Sequence, residues 1–101
     1  MPDKVESGLP SLRVYSRPGC HLCEQLIEEM APLVRGRLRI EVVDIDSCPD
    51  WQRSYGSRIP VVEFNSEFVC QYSLDVVAIE RILTEHEGLI RVAERIYSAA
   101  D

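Results

Sequence analysis

Between Leu12 and Cys23 the apolar pattern changes period, and that change limits the possible folds more than any other feature of the chain. Leu12-Arg13-Val14-Tyr15-Ser16 alternates apolar and polar residues, the pattern of a half-buried strand, and Arg17-Pro18-Gly19 breaks it with a turn. From Cys20 onward, Leu22, Cys23, Leu26, Ile27, Met30, Leu33 and Val34 recur at three- and four-residue steps, the stripe of an amphipathic helix that Gly36 ends. Pro32 lies inside the stripe and removes one backbone hydrogen bond, so a bend or loosening is expected in the last turn. The pair Cys20-His21-Leu22-Cys23 therefore stands where a strand hands over to a helix.

The rest of the chain continues the alternation of strand and helix. Leu38 to Ile45 is rich in β-branched residues and reads as a second strand, followed by a loop and a short helix around Asp50 to Tyr55. After Gly56-Ser57-Arg58-Ile59-Pro60, the runs Val61-Val62-Glu63-Phe64 and Glu67-Phe68-Val69-Cys70-Gln71 flank the turn residues Asn65-Ser66 and predict a hairpin. Ser73 is placed as the N-cap of a closing helix carrying Val76, Val77, Ile79, Ile82 and Leu83. Leu89, Ile90, Ala93, Ile96 and Tyr97 form a further stripe beyond Gly88. The expected order is β-α-β-α-β-β-α, an α/β chain with residues 1–10 as a flexible lead-in, 11–84 as the domain and 85–101 as a C-terminal helical extension.

Composition narrows the function. The 101 residues are 46% hydrophobic and 28% charged, the balance of one globular domain. A net charge of -6 opposes binding to nucleic acid or to anionic lipid, both of which need a cationic face. The first residues lack the apolar core of a signal peptide and no apolar run reaches spanning length, so the expectation is a cytoplasmic protein, a monomer with neither nucleic-acid nor membrane partner. In that compartment a close cysteine pair is catalytic or metal-binding more often than structural.

At a helix N-terminus, unpaired N–H groups and the positive end of the dipole favour a thiolate over a thiol. Cys20 occupies that place, and Cys23, one turn later, is set to attack a mixed disulfide formed there. His21 and Arg17 flank the pair, and a nearby cation lowers a thiol pKa further; a solvated His21 or Arg17 without a role is the plain alternative. CxxC spacing also serves zinc, but zinc sites use a second close pair, whereas Cys48, Cys70 and His86 are scattered singly. Cys48 and Cys70 read as small buried hydrophobes. Trp51, Tyr55 and Tyr72 are assigned no role beyond the core or its rim.

Together, Val14-Tyr15-Ser16-Arg17-Pro18-Gly19-Cys20-His21-Leu22-Cys23 and Arg58-Ile59-Pro60-Val61-Val62 resemble the glutaredoxin branch of the thioredoxin-fold superfamily, most closely its small bacterial glutaredoxin-like proteins, over about residues 11–84. The resemblance implies a thioredoxin-like three-layer fold with a four-stranded mixed sheet, and thiol–disulfide exchange on protein or glutathione mixed disulfides. It further implies Cys20 as nucleophile, Cys23 as resolving thiol, Pro60 as a cis-proline against the pair, and Ile59 as a residue offering its backbone to a bound strand. Arg17, His21 and Asp75 complete the expected substrate-binding set, with no resident cofactor and with glutathione as a candidate cosubstrate. The chain departs from the pattern in three places. His21-Leu22 replaces the usual Pro-Tyr, Val14 and Tyr15 stand where thioredoxins bury an acid, and the paired glycines that help to hold glutathione are missing from Cys70-Gln71-Tyr72-Ser73-Leu74-Asp75, where Asp75 is the one remnant. Two other classes stay open at this point: a binding module whose CxxC is structural and whose C-terminal stripe docks a partner, and metal binding through Cys20 and Cys23.

Overall fold

The computed structural model describes residues 9–86. Most of the expected lead-in and the stripe from Leu89 to Tyr97 lie outside the described residues. Within them the chain runs β1 (Ser11–Ser16), α1 (His21–Val34), β2 (Arg39–Asp44), a 3-10 turn (Ile45–Ser47), α2 (Pro49–Tyr55), β3 (Val61–Phe64) and β4 (Glu67–Gln71), and continues into a helix over residues 76–86, here α3. The sheet order is β2-β1-β3-β4. β1 pairs β2 in parallel, with α1 as the crossover, whereas β1–β3 and β3–β4 are antiparallel. This is the mixed four-stranded, thioredoxin-like α/β architecture that the resemblance implies, with its elements in the order read from the sequence.

Alternation along the strands sorts the core into two layers. Leu12 and Val14 of β1, Val62 of β3 and Cys70 of β4 turn to one face, where Leu26, Met30 and Val34 of α1 and Ile79 and Leu83 of α3 cover them. Tyr15, Val61 and Ile45 meet Trp51 and Tyr55 of α2 on the other. Each of these larger side chains contributes about 1.5–3 kcal/mol on full burial. α1 thus owes its place to a stripe of three fully buried residues, and the cysteine pair is carried at its N-terminal end.

Turn chemistry sets where α1 begins and ends. Arg17-Pro18-Gly19-Cys20 closes on the Cys20 N–H, which donates to the Arg17 carbonyl at 3.1 Å, and Gly19 takes φ +81°. Proline followed by a residue of positive φ is a type II turn, a geometry that glycine adopts without a Cβ penalty. The helix runs unbroken through Pro32 to Val34, where a loosening was expected. The carbonyl that Pro32 leaves without a helical donor belongs to Glu28, on the exposed side, where water can satisfy it.

At α3 the expected cap is displaced. Asp75, not Ser73, is the N-cap: its Oδ1 accepts the Ala78 N–H at 3.0 Å and its carbonyl accepts the Ile79 N–H at 3.1 Å. Ser73 instead lies in a tight bend after β4, donating its N–H to the Gln71 carbonyl at 2.8 Å. Val76 and Val77, which follow the helical spacing, are exposed, because α3 presents Ile79 and Leu83 to the sheet.

Candidate active site

β1 ends, β3 begins and β4 ends at one edge of the sheet, since Tyr15 faces Val61 and Val61 faces Gln71 across the ladders. The turn carrying Arg17 to Cys20, the Ile59–Pro60 bond and the loop after Gln71 are gathered at that edge. This register brings together residues more than forty positions apart.

Cys20 is the N-cap of α1. Its Sγ accepts the Cys23 N–H at 3.2 Å and its carbonyl accepts the Glu24 N–H at 3.1 Å. The N–H groups of His21 and Leu22, in the same first turn, have no backbone acceptor, so the sulfur sits among donors. The two cysteines stand with Cα atoms 5.3 Å apart and their sulfurs within bonding reach as a disulfide. Accessibility separates them: Cys20 is half-buried, whereas Cys23 is only 1% exposed.

The Arg17 and His21 side chains each face a carboxylate. Arg17 gives its Nε to both carboxylate oxygens of Asp46, at 3.0 and 3.2 Å. The Gln52 amide also donates to Asp46 and, with Arg17, holds that carboxyl below the usual range. The Arg17 carbonyl, rather than its guanidinium, touches the cysteine turn. His21 is 94% exposed, with Nδ1 3.7 Å from Glu24 Oε2.

Ile59–Pro60 is cis, and Pro60 is fully buried. The Pro60 carbonyl accepts the Tyr72 N–H at 2.9 Å. Ile59 packs its side chain under α2, yet its own N–H and C=O have no hydrogen-bond partner among the described residues. Asp75 lies beside Cys70, in a groove shared with Phe68 and Val69, and its carboxylate is engaged in capping α3. Cys70 is buried in the α1 layer, and that burial pushes its thiol pKa up; Cys48 heads α2 on the other face, and both are free. Among the described residues no cluster of three or more His, Cys, Asp or Glu side chains is arranged to hold a metal ion, and no helix is long and apolar enough to cross a membrane.

Two features escape sequence reasoning. Glu63 accepts from both the Tyr15 and the Tyr55 hydroxyls at 3.1 Å, a carboxylate clamped by two phenols that come from strands and helices far apart in sequence. Tyr72, assigned no role from spacing, takes φ +69° directly beside Pro60. The one available signal was the lack of glycine after the last strand, at a bend whose conformation glycine would favour.

Residues 11–84 match the family model described as Glutaredoxin-like domain (DUF836). Among solved structures, the X-ray structure of a structural genomics target protein, XcR50 from X. campestris, is 28% identical, with a TM-score of 0.60, and the match covers 73% of this chain and 96% of that one. No curated protein matches the chain.

Proposed function

Because this chain belongs to the glutaredoxin-like domain family over residues 11–84, we propose that it is a dithiol oxidoreductase that reduces protein or glutathione mixed disulfides. The observation that carries this reading is the geometry at Cys20: a half-buried cysteine at a helix N-terminus, its sulfur accepting a backbone N–H, with Cys23 buried one turn behind it at disulfide distance. In the reduced protein the same donors stabilise a Cys20 thiolate, the attacking species in exchange.

The reaction proceeds in two displacements. The Cys20 thiolate attacks one sulfur of the substrate disulfide, a new S–S bond forms, and the other substrate sulfur leaves as a thiolate that takes up a proton. Cys23, losing its proton, then attacks Cys20 Sγ and expels the second substrate thiolate. Two electrons pass to the substrate and the chain ends as the Cys20–Cys23 disulfide, which a thiol reductant, glutathione or a dithiol protein, returns to the dithiol. Cys20 and Cys23 are the catalytic residues. The unpaired Ile59 backbone beside Pro60 is the docking edge for a substrate strand. A reducing compartment, the cytoplasm, suits this cycle.

Iodoacetamide alkylation of Cys20 followed against pH tests the reading. The expected midpoint lies well below the free-thiol value of about 8.5, and a midpoint at or above it overturns the activated nucleophile. Equilibration with glutathione buffers, read by mass spectrometry, is expected to show a Cys20–Cys23 disulfide, with a Cys20 adduct accumulating in Cys23→Ser.

A further inference from the structure

Tyr72 is the one bulky side chain of the described chain held at a strongly positive φ, +69°. L-residues other than glycine are disfavoured in this region, and a large residue that stays there is held by its surroundings. The Ser73 N–H donates back to the Gln71 carbonyl at 2.8 Å, closing a three-residue turn with Tyr72 at its centre. Tyr72 donates its own N–H to the Pro60 carbonyl at 2.9 Å, and its phenol reaches the Ser57 carbonyl at 3.3 Å.

These two anchors fix where the ring lies. Its backbone is tied at Pro60 and its tip at Ser57, so the ring spans the stretch that contains Arg58 and Ile59. It is also 48% exposed, although a strained position gains nothing from exposing an aromatic face to water. Next to it is the Ile59 main chain with its free N–H and C=O. Val76 and Val77, just beyond the bend in the first turn of α3, are exposed as well.

The geometry points to Tyr72 as a specificity-determining residue, an aromatic wall for an extended polypeptide lying along Ile59, which accepts an apolar or aromatic side chain next to the target cysteine. This inference rests on the exchange chemistry proposed above and names its substrate class as protein disulfides. Glutathione offers two carboxylates and no apolar side chain. The cations at this edge are engaged: Arg17 on Asp46, and Arg58 through Nε on Gln71 at 2.9 Å, with its guanidinium over the Tyr55 and Phe68 rings.

The test uses the full chain and two synthetic peptides, each with one cysteine in mixed disulfide with mercaptoethanol, flanked in one by Phe and in the other by Gly. The unsubstituted protein is expected to favour the Phe peptide in kcat/KM by about tenfold, the equivalent of 1.4 kcal/mol. In Tyr72→Gly, which fits the backbone but removes the ring, the ratio is expected to fall to about one. Tyr72→Phe retains the preference. Reading a ratio cancels any general change in the reactivity of Cys20. A protein active on both peptides but without preference, or a ratio that survives Tyr72→Gly, overturns the assignment of Tyr72 alone. Inertness of the unsubstituted protein on both peptides overturns the exchange reading itself and the Tyr72 assignment with it.

Discussion

At the scale of single residues, the polar atoms are placed by partners that no local pattern announces. Arg17 meets Asp46 across 29 positions, and Glu63 meets Tyr15 and Tyr55 across 48 and 8. The sequence therefore makes Arg17 a plausible neighbour of the cysteine, while the fold spends its guanidinium elsewhere. The phenol cluster has a consequence in pH. Burial first, then the adjacent Tyr15 phenol and the Glu63 carboxylate, push the Tyr55 pKa from 10.0 up to about 12. An unfolded chain gives up this proton near pH 10, while the folded protein keeps it to about pH 12. In that window the unfolded state binds fewer protons, so stability falls as pH rises; the contribution is complete below pH 10. Urea midpoints of the native protein are expected to drop between about pH 10 and 12, and the drop should be smaller in Tyr55→Phe, which has no proton to lose. Parallel declines in the two proteins would assign the effect to other groups.

At the scale of elements, the cysteine motif was legible because its constraints are local. A period-two run, Pro-Gly, and a 3.6-period run fix strand, turn and helix without reference to the rest of the chain, and Cys20 falls on the N-cap. The start of α3 was not legible in the same way. Ser73 and Asp75 are both good caps, and the choice depends on the bend at Tyr72, whose left-handed backbone is set by the Pro60 carbonyl on a neighbouring strand. That bend uses Ser73 and leaves Asp75 to meet the Ala78 N–H. Asp75→Ala is accordingly expected to cost about 1 kcal/mol, while Asp75→Ser or Asp75→Asn, which keep an acceptor, cost a few tenths, and Ser73→Ala costs less than Asp75→Ala. Thermal or urea unfolding of the four variants gives the ranking, and an inverted order for Ser73 and Asp75 would return the cap to Ser73.

At the scale of the whole molecule, what periodicity cannot supply is the direction in which each stripe faces. In α1 the predicted stripe buries Cys23, Leu26, Met30 and Val34 almost wholly, but its first member, Leu22, is 54% exposed. In α3 the same kind of count includes Val76 and Val77, but the sheet takes only Ile79 and Leu83 fully, because a helix covers the sheet with one narrow face. The difference is measurable with two truncations of similar chemical kind. Met30 has no exposed surface and stands in the layer between α1 and the sheet, so Met30→Ala leaves a cavity and is expected to cost about 2–5 kcal/mol. That is a large part of the roughly 5–15 kcal/mol that holds a domain together, and it should appear as a lower urea midpoint at unchanged m-value. Val77, 65% exposed, leaves no cavity, and Val77→Ala is expected to stay within about 0.5 kcal/mol of the parent. Because α1 carries Cys20 and Cys23 at its N-terminus, loosening its far end in Met30→Ala also tests how the pair is held. If the helix docks as one rigid element, the alkylation midpoint of Cys20 stays where it is while stability falls. A shifted midpoint would mean that the N-terminal turn depends on packing two turns away.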